Sequence, residues 1–232
     1  MARVSEKERM AEVLRRLERA YPDATLALRF RTPLELLVAL ILAAQCTDEK
    51  VNQVTPVLFQ KYRTAEDFAR ADLAELEKLV HPTGFFRQKA RTIQKCCAVL
   101  AERFGGKVPD RLEDLLQLPG VGRKTANILL GNAFGKPAIG VDTHVMRLAQ
   151  RLGFTRHTDP DKIEEDLNRL VPEPKRTRFC HWMQAHGRQV CTARKPNCPE
   201  CILNDLCPYP DKTPAAPRRP APPKKGRSAR AH

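Results

Sequence analysis

The sequence predicts an all-α fold, and three features predict it. Helix start and stop signals recur along most of the chain, and apolar residues between them fall at helical spacing. Strand character is confined to Ala138-Ile139-Gly140-Val141. Hydrophobic residues make up 42% of the 232, enough to build a core.

Ser5 and Glu8 form a capping-box start for a first helix that reaches about residue 20 and is stopped by Pro22. Thr32-Pro33 sets proline at the first position of a second helix, over 33–45. A third covers 48–62 and carries Pro56, which implies a kink. Short helices follow over 65–70 and 73–80, then a long one over 86–104, closed by Gly105-Gly106. Asp110 caps a helix ending near Leu118. After the tight turn Pro119-Gly120-Val121-Gly122 a helix restarts at Arg123 and runs to about 134, where Gly135 stops it. Asp142 or Thr143 starts the next, through Leu152. Asp159-Pro160 starts one to about 170, and the last covers 175–186.

Charge narrows the partner. Lys and Arg number 41 against 27 Asp and Glu, a net +14, with a pI near 9.7 and a mean hydropathy of −0.47. That excludes an acidic solvating protein and an ordinary neutral metabolic enzyme. It favours a polyanion, either nucleic acid or an anionic membrane surface. The most apolar stretch, Leu34 to Ala44, spans 11 residues and contains Glu35. A membrane span needs about 20, so this stretch reads as a core helix and no membrane partner is expected. The N-terminal MARVSEKERM mixes acids with bases and has no apolar run behind it, unlike a secretory signal. A reducing, cytoplasmic setting is expected, associated with the nucleoid if the source is bacterial. The tail from Pro208 onward holds seven prolines, seven Lys or Arg and one acid, and is expected to be disordered. It reads equally as a basic arm on DNA or as a solvated end.

Two motifs carry chemistry. The first is Leu118-Pro119-Gly120-Val121-Gly122-Arg123-Lys124-Thr125-Ala126, between two helices. Its glycines permit a sharp turn, and the amides of the restarting helix form an anion site. No Walker pattern or preceding strand points to a mononucleotide. A helix–hairpin–helix holding a DNA phosphate through Gly120, Val121, Gly122 and Arg123 fits, and so does a plain interhelical turn. Lys124 sits where the helix dipole favours anions, which favours a neutral amine able to attack carbon; a lysine touching phosphate is the alternative. Asp142 follows an apolar segment and precedes a helix, the place of a companion carboxylate or of a simple N-cap.

The second motif is Cys191-x6-Cys198-x2-Cys201-x5-Cys207, followed by proline. Zinc sites pair two CxxC-like knuckles far apart, whereas one wrapping loop suits a [4Fe-4S] cubane, so iron–sulfur is favoured over zinc. Arg194 and Lys195 at the tip of this loop are candidate phosphate contacts or solvated charges. Cys46, Cys96, Cys97 and Cys180 lie in helical apolar patterns and read as small hydrophobes.

LPGVGRKTAN, then VDTH, then HGR and the four-cysteine loop occur in one order. Together they resemble the endonuclease III family, bifunctional DNA glycosylases of the helix–hairpin–helix superfamily, over about residues 5–209. The resemblance implies a helical barrel domain over 24–136, with the helix–hairpin–helix at about 112–131. A cluster domain joins 1–23 to 137–209, with the [4Fe-4S] loop at 191–207, and 210–232 is tail. Double-stranded DNA carrying damaged pyrimidines or abasic sites would lie in the cleft between the domains, on a monomer. The resemblance further implies that Lys124 attacks the sugar C1′ and that Asp142 assists base loss, with β-elimination then nicking the strand. Gln45 would fill the vacated stack, and Phe85 stands where relatives carry an aliphatic wedge, with Phe86 beside it as an alternative. His144 would face the lesion or the backbone. Three other readings stay open: a monofunctional glycosylase, which would lack Lys124; a noncatalytic hairpin module, which needs neither Asp142 nor a metal loop; and a zinc-containing nucleic-acid binder.

Overall fold

The computed structural model describes residues 5–214, and within them every regular element is a helix. In chain order these are α1 (Glu6–Ala20), α2 (Pro33–Leu42), α3 (Asp48–Lys61), α4 (Ala65–Ala69), α5 (Leu73–Val80), α6 (Phe86–Phe104), α7 (Leu112–Leu115), α8 (Arg123–Ala133), α9 (Thr143–Arg151), α10 (Pro160–Leu170) and α11 (Arg176–Gln189). None is long and apolar enough to cross a membrane. The tail beyond residue 214 lies outside the described residues.

Local chemistry sets most of the starts. Ser5 and Glu8 close a reciprocal capping box on α1. Thr32, Thr47 and Asp72 each accept the amide three residues on, satisfying donors that the helix leaves unpaired. Three expectations need correction. Helix α2 stops at Leu42 rather than Gln45, because Gln45 turns to a left-handed φ of 52°. Asp110 does not cap α7; its carboxylate takes the Lys136 ammonium at 2.7 Å, and α7 is a single turn ending at Leu115. Helix α11 extends past His186 to Gln189. Helix α3 continues unbroken through Pro56, and 138–141 forms no strand.

The helices bury two separate hydrophobic cores. The first gathers Leu36, Leu37, Leu58, Phe68, Ile93, Leu100 and Leu129 from α2 to α8. Helix α2 is buried nearly all round and forms its centre, each large side chain contributing about 1.5–3 kcal/mol relative to exposure. The second gathers Met10, Leu17, Leu148, Ile163, Phe179 and Trp182 from α1 and α9 to α11. Helix α1 therefore packs with the C-terminal helices, on α10 and α11. The chain passes from one core to the other through residues 134–142, directly after the glycine hairpin's helix.

Candidate active site and metal loop

The hairpin is a type II turn. The Val121 amide donates to the Leu118 carbonyl at 3.1 Å, Pro119 occupies the first central position and Gly120 the second, with φ of 81°. A Cβ on Gly120 would stand 2.4 Å from the Thr92 methyl of α6, so the turn sits tight against the first core. Gly122 is the N-cap of α8 and offers no side-chain acceptor. The first amides of α8 therefore receive no cap from a side chain.

Lys124 follows in the first turn, exposed, on the wall of a cleft of about 810 Å³. Asp142, Thr143 and His144 line the same cleft from the second core, and Cys46, Thr47 and Asp48 from the first. Two contacts fix this approach. Asn127, one turn after Lys124 and buried, donates its Nδ2 to the Ile139 carbonyl and to Glu164 Oε2, both at 2.9 Å. Gly140 passes so close that a Cβ there would meet Ile128 at 2.9 Å and the Lys124 carbonyl at 3.4 Å. The segment leading to Asp142 is thus pinned against the helix that carries Lys124.

Asp142 caps α9, its Oδ1 accepting the amides of His144 at 2.9 Å and Val145 at 2.8 Å. Among the described residues its Oδ2 accepts no hydrogen bond. His144 Nδ1 lies 3.1 Å from Arg147 Nη2, and a Cβ on Gly187 would strike that ring nitrogen at 2.7 Å. The glycine of the HGR stretch is therefore a packing requirement. Burial holds the His144 imidazole below its usual range, offset in part by the Asp142 carboxylate.

Arg123 is held from the second core. Its Nε and Nη2 form a bidentate pair with the buried Glu164 carboxylate, at 2.7 and 3.0 Å, while Nη1 makes no hydrogen bond among the described residues. Asn127 and Glu164 went unrecognised in the sequence. The available signal was an acid at an apolar phase of α10, between Ile163 and Leu167. Substituting Asn127→Leu strands the Ile139 carbonyl and removes a donor to Glu164. The expected loss is about 1–3 kcal/mol of stability, read as a melting temperature lower by several degrees; an unchanged melting curve would mean the bridge carries no energy.

Gln45 and Phe85 share a rare feature. They are the only non-glycine residues with positive φ among those described, at 52° and 46°. Phe85 is 62% exposed, whereas Phe86 packs on the first core with its ring 4.5 Å from that of His81. Of the two phenylalanines, Phe85 is the one that projects.

Cys191, Cys198, Cys201 and Cys207 all line one cavity, floored by Leu148, Leu152, Val190 and Leu203, and none is in a disulfide. Among the described residues no three His, Cys, Asp or Glu side chains converge tightly enough for a single ion. Four thiols spaced around an apolar cavity fit a cluster with one thiolate per iron rather than one tetrahedral zinc. Arg151 reaches Cys191 Sγ at 3.3 Å and the Thr192 and Ala193 carbonyls at 2.8 Å each, and Arg147 reaches the Cys191 carbonyl. Cys201 Sγ lies 3.4 Å from His186 Nε2, whose Nδ1 meets the Tyr21 hydroxyl at 2.9 Å. Burial depresses the His186 pKa to about 4, which leaves the ring neutral at physiological pH. Arg194 and Lys195 stand exposed on this loop. Cys96 and Cys180 are buried thiols pushed up to about 12, inert packing residues. Cys46 lies in the loop after α2 instead of a helix.

A hairpin-capped helix facing a cleft, with a four-cysteine loop on the second core, defines a helix–hairpin–helix repair fold with an iron–sulfur module. The profile of the HhH-GPD superfamily of base excision DNA repair proteins matches residues 38–173. That of the iron–sulfur binding domain of endonuclease III matches residues 191–207. Endonuclease III of Synechocystis is 55% identical over 205 residues, 88% of this chain and 94% of the relative. Endonuclease III of Escherichia coli K12 is 40% identical over 206 residues, 89% and 98% of the two. The solved structure of a non-covalent endonuclease III–DNA complex superposes with a TM-score of 0.84 at 45% identity, covering 88% of this chain and 96% of that one. The chain belongs to the endonuclease III family, and its four-cysteine loop is the site of a [4Fe-4S] cluster.

Proposed function

We propose that the protein removes oxidised or ring-damaged pyrimidines from duplex DNA and nicks the resulting abasic site. It is a base-excision glycosylase and AP lyase. The observation that carries the assignment of its chemistry is Lys124 on the cleft wall, held against the segment that ends in Asp142. A structure of a trapped endonuclease III–DNA covalent intermediate, 45% identical with a TM-score of 0.84, supports a covalent step of this kind.

The chemistry follows from the groups present. The lesion leaves the stack so that its sugar enters the cleft, since C1′ is out of reach inside a duplex. The Lys124 amine attacks C1′ as the C1′–N bond to the base breaks and the base departs with the electron pair. Asp142, with Oδ1 committed to the α9 amides, turns Oδ2 to the developing positive charge on the sugar or takes the proton released by the lysine. The nitrogen lone pair then opens the sugar ring, breaking C1′–O4′ as O4′ takes up a proton, and the resulting iminium acidifies the C2′ proton. Its removal expels the 3′ phosphate, and hydrolysis frees Lys124. The uncapped amides of α8, with Gly120, Val121 and Gly122, hold a phosphate nearby. Phe85 and Gln45 enter the stack where the base has left, His144 faces the backbone, and Arg194 and Lys195 touch phosphate further along.

Cys191, Cys198, Cys201 and Cys207 would hold the [4Fe-4S] cluster, which would tie the loop together when bound. We assign the two cores to two domains, 24–136 and 1–23 with 137–209, with DNA across the cleft between them and the enzyme acting as a monomer. On this reading it acts in the cytoplasm, associated with the nucleoid if the source is bacterial, where thiolate ligands stay reduced. Excision of thymine glycol from a duplex tests the assignment, and Asp142→Asn tests its details. This variant keeps an oxygen for the α9 amides but loses the charge, so base excision is expected to fall about 100-fold or more while DNA binding stays within a few-fold. Lost binding would make Asp142 a structural cap only.

A further inference from the structure

Lys89 is 4% exposed and faces no carboxylate. Its ammonium makes one hydrogen bond among the described residues, to the Thr83 carbonyl at 2.7 Å. Burial depresses its pKa. A buried cation with one neutral acceptor opposes stability, because desolvation is only partly compensated.

Its position gives the reason. Thr83 ends the 3-10 turn His81–Thr83, whose hydroxyl donates to the Val80 carbonyl at 2.8 Å. Gly84 and Phe85 follow at once, both with positive φ. Cys46 follows Gln45, the other strained residue, and helix α3 beyond it packs on the 81–83 turn. Lys89 therefore ties down the turn that leads into Phe85, and that turn packs on the helix that follows the Gln45 loop. Non-glycine residues hold a left-handed backbone only where their surroundings over-determine it.

We propose that Lys89 is a positioning residue for base extrusion, a single buried cation that holds the Phe85 turn inward beside the Gln45 loop so that both strained residues stay aimed at the DNA stack. By drawing the Thr83 carbonyl into the core, it closes the turn and forces Phe85 outward. This rests on the reading above that Phe85 and Gln45 enter the stack.

The test follows extrusion by the fluorescence of 2-aminopurine placed beside an uncleavable abasic analogue in a duplex, in the full chain with its cluster. Lys89→Met is expected to slow extrusion about 10-fold, with the melting temperature unchanged or higher. Cleavage of an abasic site in single-stranded DNA, which needs no extrusion, should stay within about twofold. Lys89→Arg should restore most of the rate. If Lys89→Met does not fold, Lys89→Gln replaces it, with a donor too short to reach Thr83. Normal extrusion in the neutral variant overturns the proposal, as does a parallel fall in extrusion, single-strand cleavage and melting temperature. Phe85→Ala separates the two readings. If it leaves extrusion unchanged, the wedge reading fails and this proposal with it. If Phe85→Ala slows extrusion and the neutral Lys89 variant does not, only the role of Lys89 fails.

Discussion

Replacing Lys124 with alanine is expected to abolish the covalent adduct that borohydride traps between the enzyme and a duplex carrying thymine glycol. Among the described residues Lys124 is the one lysine on the wall of the cleft, and none of the others is placed to substitute for it. Excision and strand cleavage should both fall, by about 10⁴-fold or more, because one nitrogen forms the bond on which both depend. Folding should be unaffected. Lys124 is exposed and makes no hydrogen bond or ion pair among the described residues, and surface truncations of that kind usually lie within about 0.5 kcal/mol of neutral. DNA affinity should change only by the worth of one cation near a phosphate, read as a salt slope shallower by about one unit at most. Lys124→Arg should be as inactive as the alanine variant, since a guanidinium stays protonated and cannot serve as the nucleophile. An adduct surviving in either variant would assign the chemistry to a different amine.

What could be read in advance was whatever local chemistry determines. Ser5, Thr32 and the Pro119-Gly120 pair specify their caps and turn through side-chain oxygens and allowed dihedrals alone. The sequence therefore placed α1, the start of α2 and the hairpin correctly. The four cysteines were legible for a similar reason, since a short loop with set spacing can enclose only certain metals. The misses all depend on tertiary contacts. Gln45 looked like the end of a helix because nothing in glutamine announces a left-handed backbone; that conformation is imposed by the packing around it. The pairing of Arg123 could not be read because its partner, Glu164, lies 41 residues away on another helix. Asn127 stood inside the most informative stretch of the chain. Its bridge to Ile139 could still not be seen, because it exists only once the chain has crossed to the second core.

Loss of the metal is expected to unfold the second core selectively. The loop from Cys191 to Cys207 contains only two short 3-10 turns, and Leu203 is its one fully buried large apolar side chain, with Leu206 packed partly against the core. What ties it to the helices is polar. Arg16 donates to the Ile202 carbonyl at 2.8 Å and pairs with Asp205, and Arg9 reaches the Leu206 carbonyl at 3.4 Å. Arg147 and Arg151 hold its other end. These exposed or half-exposed contacts contribute little individually, so metal–thiolate bonds must supply most of the ordering energy. Cys201→Ala removes a thiolate that also meets His186, leaving a neutral buried imidazole without its sulfur partner. The variant should lose its visible absorption and its iron, and its melting temperature should fall by about 10 °C or more, since a loss of a few kcal/mol moves a chain of this size by that amount. Helix α1 loosens in the same step, because Arg9 and Arg16 connect it to the loop. The first core shares none of these contacts and should keep its helical signal to a higher temperature, giving two transitions instead of one. Cys46→Ser serves as the control and should stay brown and stable. If Cys201→Ala retained full iron, or lost it with no change in melting, the loop would owe its shape to the arginines and not to the metal.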